Sequence, residues 1–171
     1  MKRLYIVRHG AAQSSFEAGS DFARRLVPAG EERVRAVAEH FAALPEVVFP
    51  QRIVSSAAPR AAQTARIWAD VLGVGADRYA ETAELYRGGP AVYLDTIVRS
   101  LPDEVSCAMA VGHNPAVSEL LASLTGVPAG EYLMRKGDAA CVAFDLPDDA
   151  RWEELYAAEG EMERYLIAAS V

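Results

Sequence analysis

The sequence KRLYIVRHG, residues 2–10, places a short apolar run directly before an arginine, a histidine and a glycine. The run predicts a buried strand over Lys2–Arg8. His9 follows the end of that strand, and Gly10 lets a ligand approach the backbone because it has no Cβ atom. By itself, this triplet is equally typical of a cap or an ion pair at the edge of a sheet.

Segments typical of strands and of helices alternate along the rest of the chain. Short apolar runs predict strands at residues 52–56, 107–111 and 139–146. Apolar residues at helical spacing predict helices within residues 28–44, 61–72, 94–101 and 117–124. Asn114 is expected to cap the last of these helices, with Pro115 in its first position. Residues 151–158 fit neither period, and the acidic residues 159–163 indicate a solvated surface.

This alternation predicts an α/β fold, namely a three-layer α/β/α sandwich with a mostly parallel central sheet and helices on both faces. The 171 residues suit one domain, and no repeat, linker or low-complexity tract divides residues 1–171. In such folds, ligands bind beyond the carboxyl ends of the parallel strands. The reactive residues are therefore expected at that edge of the sheet.

Composition and charge exclude several classes of partner. A net charge of -7 and a pI near 5.0 argue against a nucleic-acid binder, which needs clustered Lys and Arg. No segment approaches the roughly 20 apolar residues that span a bilayer, and no signal peptide is visible, so we expect a cytoplasmic protein without a membrane partner. Cys107 and Cys141 lie within apolar strand-like runs and are expected to be buried thiols. The oligomeric state is left open.

Three predicted strands end at polar sequences that would meet at one edge of the sheet. These are Arg8-His9-Gly10, Ser55-Ser56 and Gly112-His113-Asn114. Arg60 falls in the first helical turn after the second strand, where free backbone N–H groups attract anions and a planar guanidinium can bind two phosphate oxygens. The alternatives are an arginine that lies along the helix surface at position 60 and a structural histidine at position 113.

This pattern resembles the histidine phosphatase superfamily, also called the phosphoglycerate mutase-like superfamily. The similar motifs are the RHG triplet at residues 8–10, an SxxxRAxQT-like segment at residues 56–64, the GH pair at residues 112–113, and an R-x-L-T-x-x-G-like entry to the first helix at residues 24–30. They cover most of residues 1–125. The short chain and the missing insertion after the second strand look most like the SixA-type phosphohistidine phosphatases.

The resemblance implies a phosphatase with a histidine nucleophile and a phosphohistidine enzyme intermediate. In that scheme, His9 attacks phosphorus, and Arg8, Arg60 and a protonated His113 stabilise the phosphoryl group. Further substrate or phosphate contacts are expected from Gly10, Asn114 and Arg24. Neither a metal ion nor a cofactor is implied, and the expected partner is a phosphorylated substrate, with a phosphohistidine protein as the first candidate.

The sequence departs from the family pattern at the proton donor. Ala11 and Ala12 follow the triplet, where many members carry an acid, so Glu84 is the only candidate general acid. A missing acid favours a phosphohistidine substrate, because an imidazole leaves without the proton that an alkoxide needs. Phosphatases of small phosphate esters and an inactive module that binds a phosphorylated ligand are the alternatives.

Overall fold

A six-stranded mixed sheet forms the centre of the protein, in a computed structural model that describes residues 1–171. In spatial order, the sheet runs β3-β2-β4-β1-β5-β6. The strands are β1 (Lys2–Arg8), β2 (Arg52–Ser56), β3 (Tyr79–Thr82), β4 (Cys107–Gly112), β5 (Ala139–Phe144) and β6 (Glu161–Leu166). The first four strands pair in parallel, whereas β5 and β6 pair antiparallel.

Helices cover both faces of this sheet. The helices are α1 (Ser15–Ala18), α2 (Pro28–Ala43), α3 (Pro59–Leu72), α4 (Glu84–Arg87), α5 (Pro90–Ser100) and α6 (Ala116–Leu124). Leu4 and Ile6 of β1 pack in the apolar cluster under α5 and α6, whereas Tyr5 and Val7 pack in the cluster under α2 and α3. This alternation confirms the predicted α/β fold with helices on both faces. None of the helices is both long enough and apolar enough to cross a lipid bilayer.

Several elements differ from the sequence-based expectation. The edge strands β3 and β6 were not predicted, and β6 includes part of the acidic stretch that was expected to be only a solvated surface. Residues 152–156, which fit neither period, form a 3₁₀ helix. Asn114 does not cap α6, because its side chain bonds to Ser118 and Met134 instead of to the free N–H groups of the first turn.

Parallel pairing of β1, β2 and β4 brings their carboxyl ends to one edge of the sheet. Arg8 lies opposite Gly112, so the next residues in each strand, His9 and His113, are neighbours. The N–H of His9 continues the ladder by donating to the Gly112 carbonyl at 3.1 Å. Ser56 ends β2 at the same edge. The fold therefore brings three distant chain segments to one place.

The first turn of α2 packs tightly against the segment that follows β1. A Cβ atom on Gly30 would lie 2.2 Å from the carbonyl oxygen of Ala11, which explains the glycine of the entry motif. Val27 occupies the position where that motif has threonine. It is the N-cap of α2, with extended backbone angles, and its side chain makes no capping hydrogen bond. The first turn of α2 thus lacks a side-chain acceptor.

Replacing Val27 by threonine should stabilise the fold. Val27→Thr keeps the β-branched shape and adds a hydroxyl that accepts from the first-turn N–H groups, so the free energy of unfolding should rise by about 1 kcal/mol. Chemical denaturation of the wild type and the variant measures the difference. A lower value for Val27→Thr than for the wild type would show that this half-buried side chain is needed as an apolar contact.

Candidate active site

A polar pocket of about 480 Å³ opens at the carboxyl edge of the parallel strands. Its lining residues are Arg8, His9, Asp21, Arg24, Arg60, Tyr86, Arg87, His113, Asn114 and Lys136. Six of the eight site residues suggested by the sequence are among them. The exceptions are Gly10 and Glu84. The pocket contains five cationic side chains and one carboxylate, so it suits an anion although the whole chain is acidic.

Gln63 and Thr64 of the RAxQT segment hold the backbone around the pocket, whereas Arg60 of the same segment lines the pocket itself. The Thr64 hydroxyl accepts from the N–H of Gly10 at 3.1 Å and donates to the carbonyl of Arg60 at 2.8 Å. Gln63 accepts from the N–H of Leu26 at 2.8 Å. Gly10 itself contacts the protein, because a Cβ atom there would lie 2.7 Å from a methyl group of Val34. Gly10 is therefore a close-packing position beneath the pocket.

A second set of contacts fixes Arg8 and Asn114 through one backbone carbonyl. Met134 O accepts from Arg8 Nη1 at 3.0 Å and from Asn114 Nδ2 at 2.8 Å. The hydroxyl of Ser118 donates to Asn114 Oδ1 at 2.6 Å and accepts from the N–H of Met134 at 3.0 Å. These bonds hold the guanidinium and the amide side by side at the pocket wall.

Asp138 anchors the turn that carries this carbonyl, and sequence reasoning missed it. Its buried carboxylate accepts from Tyr165 Oη at 2.7 Å and from the N–H groups of Arg135 and Ala168, each at 2.9 Å. The N–H of Arg8 donates to the backbone carbonyl of Asp138 at 3.0 Å. The C-terminal strand thereby supports the pocket, although its sequence carries no recognisable catalytic motif.

His9 has one ring nitrogen free for reaction. Its Nδ1 lies 2.7 Å from the carbonyl oxygen of Gly10, which can only accept, so Nδ1 carries the proton and Nε2 has the lone pair. Burial lowers the pKa of His9 to about 3, the hydrogen bond to Gly10 opposes the shift, and the charge of Arg60 adds to it. His9 is therefore a neutral imidazole near pH 7, which is the form that can act as a nucleophile.

His113 lies beside His9, with ring centroids 5.4 Å apart. Its Nε2 is 2.7 Å from Ser56 Oγ, which also accepts from the N–H of Ala58. With the serine hydrogen directed at Nε2, the proton of the neutral ring lies on Nδ1, and in the protonated ring both nitrogens are donors. Burial, aided by the charge of Arg60, lowers the pKa of His113 to about 4. The protonated His113 expected from the sequence is thus disfavoured until an anion binds, because negative charge favours the cation.

Three buried donor nitrogens in pocket-lining residues have no hydrogen-bond partner within the protein. They are Arg8 Nε, Arg60 Nε and His113 Nδ1. An unpaired buried N–H group costs roughly 1–3 kcal/mol, so three in one pocket require an explanation. A phosphoryl group offers three acceptor oxygens together with negative charge. The donor set therefore fits a phosphoryl ligand.

The acidic residue that lines the pocket is Asp21 and not Glu84, which the sequence suggested. Glu84, the sequence-based candidate for general acid, lies outside the pocket, where it accepts from Arg99 at 2.7 Å and from Thr96 at 3.1 Å. The hydrogen bond from Arg99, helped by the one from Thr96, lowers the pKa of Glu84. Its carboxyl group is therefore a poor proton donor and also lies away from the pocket. Asp21 is the acid that does line the pocket. Only the proximity of Asp21 to Arg24 in the sequence could have suggested it.

A sequence model of the histidine phosphatase superfamily, branch 1, matches residues 4–91, just over half of the chain. The chain belongs to this superfamily. The matched range contains most of β1, the RHG triplet, the entry to α2 and the RAxQT segment, whereas His113 lies beyond it. No curated protein sequence matches the chain.

Solved structures with the histidine phosphatase fold resemble this one over nearly their whole length. The protein histidine phosphatase SixA in complex with tungstate superposes with a TM-score of 0.78 at 22% identity, covering 98% of both chains. A protein assigned as SixA from Agrobacterium tumefaciens gives 0.74 at 24% identity, covering 96% of this chain and 97% of its own. One from Nakamurella multipartitia gives 0.76 at 22%, covering 96% and 95%. At 22–24% sequence identity, this similarity shows that the three proteins and this chain share a fold.

The buried neutral histidines should make stability depend on pH. Between pH 6.5 and about 4, the unfolded chain takes up protons at His9 and His113 that the folded protein does not, so the free energy of unfolding should rise with pH across this window. Each histidine contributes at most about 1.4 kcal/mol per pH unit. Urea denaturation at several pH values measures the slope.

The matched comparison for this slope is a variant with glutamine at both histidine positions. Glutamine does not titrate, so the slope between pH 4 and 6.5 should become shallower while the carboxylate contributions stay the same. An unchanged slope would show that the two imidazoles are not held neutral by the fold.

Proposed function

We propose that this protein is a phosphatase in which His9 Nε2 takes the phosphoryl group from its substrate. The observation that carries the proposal is the set of three unpaired buried donors around a neutral histidine with a free lone pair. A binding module for a phosphorylated ligand would need the donors. It would not need an imidazole whose tautomer and charge both leave Nε2 reactive.

The first step is an in-line displacement at phosphorus. Nε2 of His9 forms a bond to phosphorus, the bond from phosphorus to the leaving atom breaks, and its electron pair goes with the leaving group. Negative charge persists on the equatorial oxygens throughout this step. Arg8, Arg60 and His113 supply fixed donors to those oxygens, and because Arg60 and His113 are buried, their stabilisation is stronger than it would be in bulk water.

The second step regenerates the enzyme. Water attacks the phosphorus of phosphorylated His9, the P–N bond breaks, and its electron pair returns to Nε2. Both protons of the water stay on the inorganic phosphate that leaves. The hydrogen bond from Nδ1 to the Gly10 carbonyl keeps the ring in one orientation and one tautomer through both steps.

The substrate class that fits best is protein phosphohistidine. Glu84 lies outside the pocket, and Asp21, the one carboxyl group inside it, has a pKa lowered by its hydrogen bond from Tyr86. Neither carboxyl is suited to protonate an alkoxide, whereas an imidazole leaves without such help. Three similar folds are those of proteins described as SixA phosphohistidine phosphatases. The small-ester phosphatase is the second candidate.

Removing the nucleophile should abolish both turnover and covalent labelling. His9→Ala should form no acid-labile phosphoenzyme with a labelled phosphoryl donor, and Arg60→Ala should lose roughly 100- to 1,000-fold in kcat through the missing positive charge. His40→Ala is the matched control, because His40 is exposed on α2. Full activity in His9→Ala would assign the nucleophile to another residue.

Substrate preference should follow the quality of the leaving group. The wild type should cleave phosphohistidine and aryl phosphates with a higher kcat/KM than alkyl phosphates such as sugar phosphates, because no carboxylic acid is positioned to protonate an alkoxide. Glu84→Gln should leave all these values nearly unchanged. A wild-type preference for an alkyl phosphate, or a selective loss of alkyl activity in Glu84→Gln, would favour the small-ester phosphatase.

A further inference from the structure

Asp21 places a carboxylate at the mouth of an otherwise cationic pocket. Its Oδ2 accepts from Tyr86 Oη at 2.8 Å and from Arg60 Nη2 at 3.2 Å, and its Oδ1 accepts from Arg24 Nη1 at 3.2 Å. Its backbone carbonyl accepts from Arg60 Nη1 at 2.8 Å. A carboxylate has about four acceptor positions, so three side-chain donors leave one for a ligand.

The side chains at the floor of the pocket are buried, whereas those at its mouth are partly exposed to solvent. His9 is 4% exposed, and the side chain of Arg60 is 5% exposed, whereas the side chain of Asp21 is 52% exposed. The phosphoryl group must reach His9 at the floor. The part of the substrate that leaves must therefore lie toward the mouth, where it meets Asp21 and the half-buried Tyr86.

Tyr86 forms a flat wall next to this carboxylate. The Phe22 and His113 rings form T-shaped pairs with it, at 4.9 Å and 5.7 Å between centroids, and the Arg60 guanidinium lies over it at 5.9 Å from the ring centroid. These contacts hold the aromatic ring in place while its hydroxyl holds Asp21. Because Arg60 already supplies a cation over this ring, the feature that can favour a cationic leaving group at the mouth is the half-exposed Asp21 carboxylate that Tyr86 holds.

We propose that Asp21, held by Tyr86, is a specificity-determining residue that favours a phosphorylated imidazolium ring over a phosphate ester. The inference rests on the proposed phosphatase function and adds the residue that selects the leaving group. A phosphohistidine ring with a proton on its second nitrogen is a cation that can donate to the free acceptor position of Asp21. An ester offers neither the charge nor the proton, and its own oxygens are repelled by the carboxylate.

The chemistry balances without a proton donor from the protein. Nε2 of His9 bonds to phosphorus, the P–N bond of the substrate breaks, and its electron pair goes to the substrate ring nitrogen. The ring keeps the proton on its second nitrogen and leaves as neutral imidazole. Its positive charge is present before the bond breaks and disappears afterwards, so Asp21 should act mainly on substrate binding and KM rather than on kcat.

The test compares two substrates in the wild type and in Asp21→Asn. The asparagine keeps the shape and removes the charge, so kcat/KM for phosphohistidine should fall by roughly threefold to tenfold, mainly through KM. For p-nitrophenyl phosphate, it should stay the same or rise. Tyr86→Phe keeps the ring but removes the hydrogen bond to Asp21. It should therefore also lower the kcat/KM for phosphohistidine relative to that for p-nitrophenyl phosphate. Glu84→Gln is the matched control, because it removes one carboxylate outside the pocket, and should shift neither value.

The outcomes separate this inference from the proposed function. If Asp21→Asn changes both substrates by the same factor and in the same direction, Asp21 only positions Arg60 and the specificity role is wrong. If the kcat/KM for phosphohistidine divided by that for p-nitrophenyl phosphate is lower in Asp21→Asn than in the wild type, the specificity role is supported. If the wild type hydrolyses neither substrate, or if His9→Ala retains full activity, the proposed function fails first. Thermal melting of Asp21→Asn and Tyr86→Phe confirms that each variant is folded before the rates are compared.

Discussion

The parallel pairing of β1 with β4 is the constraint on which the site depends. Because the register puts Arg8 opposite Gly112, the two histidines that follow these strands become neighbours without any loop having to position them. β2 pairs with the other edge of β4 and brings Ser56, which is hydrogen-bonded to His113, to the same end. A slip of one residue in either ladder would turn these side chains to the opposite face. The relative positions of the pocket side chains are therefore fixed by the register of the buried strands.

Burial and positive charge act on the two histidines in the same direction. Both lower the pKa of His9, and they would leave it neutral far below the ordinary range for histidine. The same cations that would stabilise a phosphoryl group thus also keep His9 unprotonated before that group arrives. A negatively charged ligand reverses this balance at His113, where the cation would add a second charged donor. The acidic surface of the rest of the chain leaves this local field intact, because exposed charges are screened over about 10 Å.

Sequence periodicity predicted the interior of the fold better than its edges. β1, β4 and β5 are buried on both faces and appear as continuous apolar runs, and α3 ends at Gly73 with the left-handed backbone that glycine favours. β3 and β6 have mixed exposure and too few apolar residues to form a pattern. The motifs at the predicted strand ends identified Arg8, His9 and His113 as candidate site residues. Asp138 and Asp21 were missed because the tyrosines that bind their carboxylates, Tyr165 and Tyr86, are distant in sequence and approach them only after folding.

Glu84 and Asp21 show why residue type does not determine chemical role. Both are half-exposed or more, and both have a lowered pKa, yet Glu84 pairs with Arg99 away from the pocket while Asp21 is held at its mouth by Tyr86. An ionised carboxylate cannot donate a proton, so Asp21 cannot simply replace the missing general acid. In the proposed reaction, it contributes a fixed negative charge at the pocket mouth, where the leaving group would lie. Five cationic side chains outnumber that one carboxylate in the pocket, so a phosphoryl group would still meet net positive charge there, while the proposed role of Asp21 is to favour a cationic leaving group next to it.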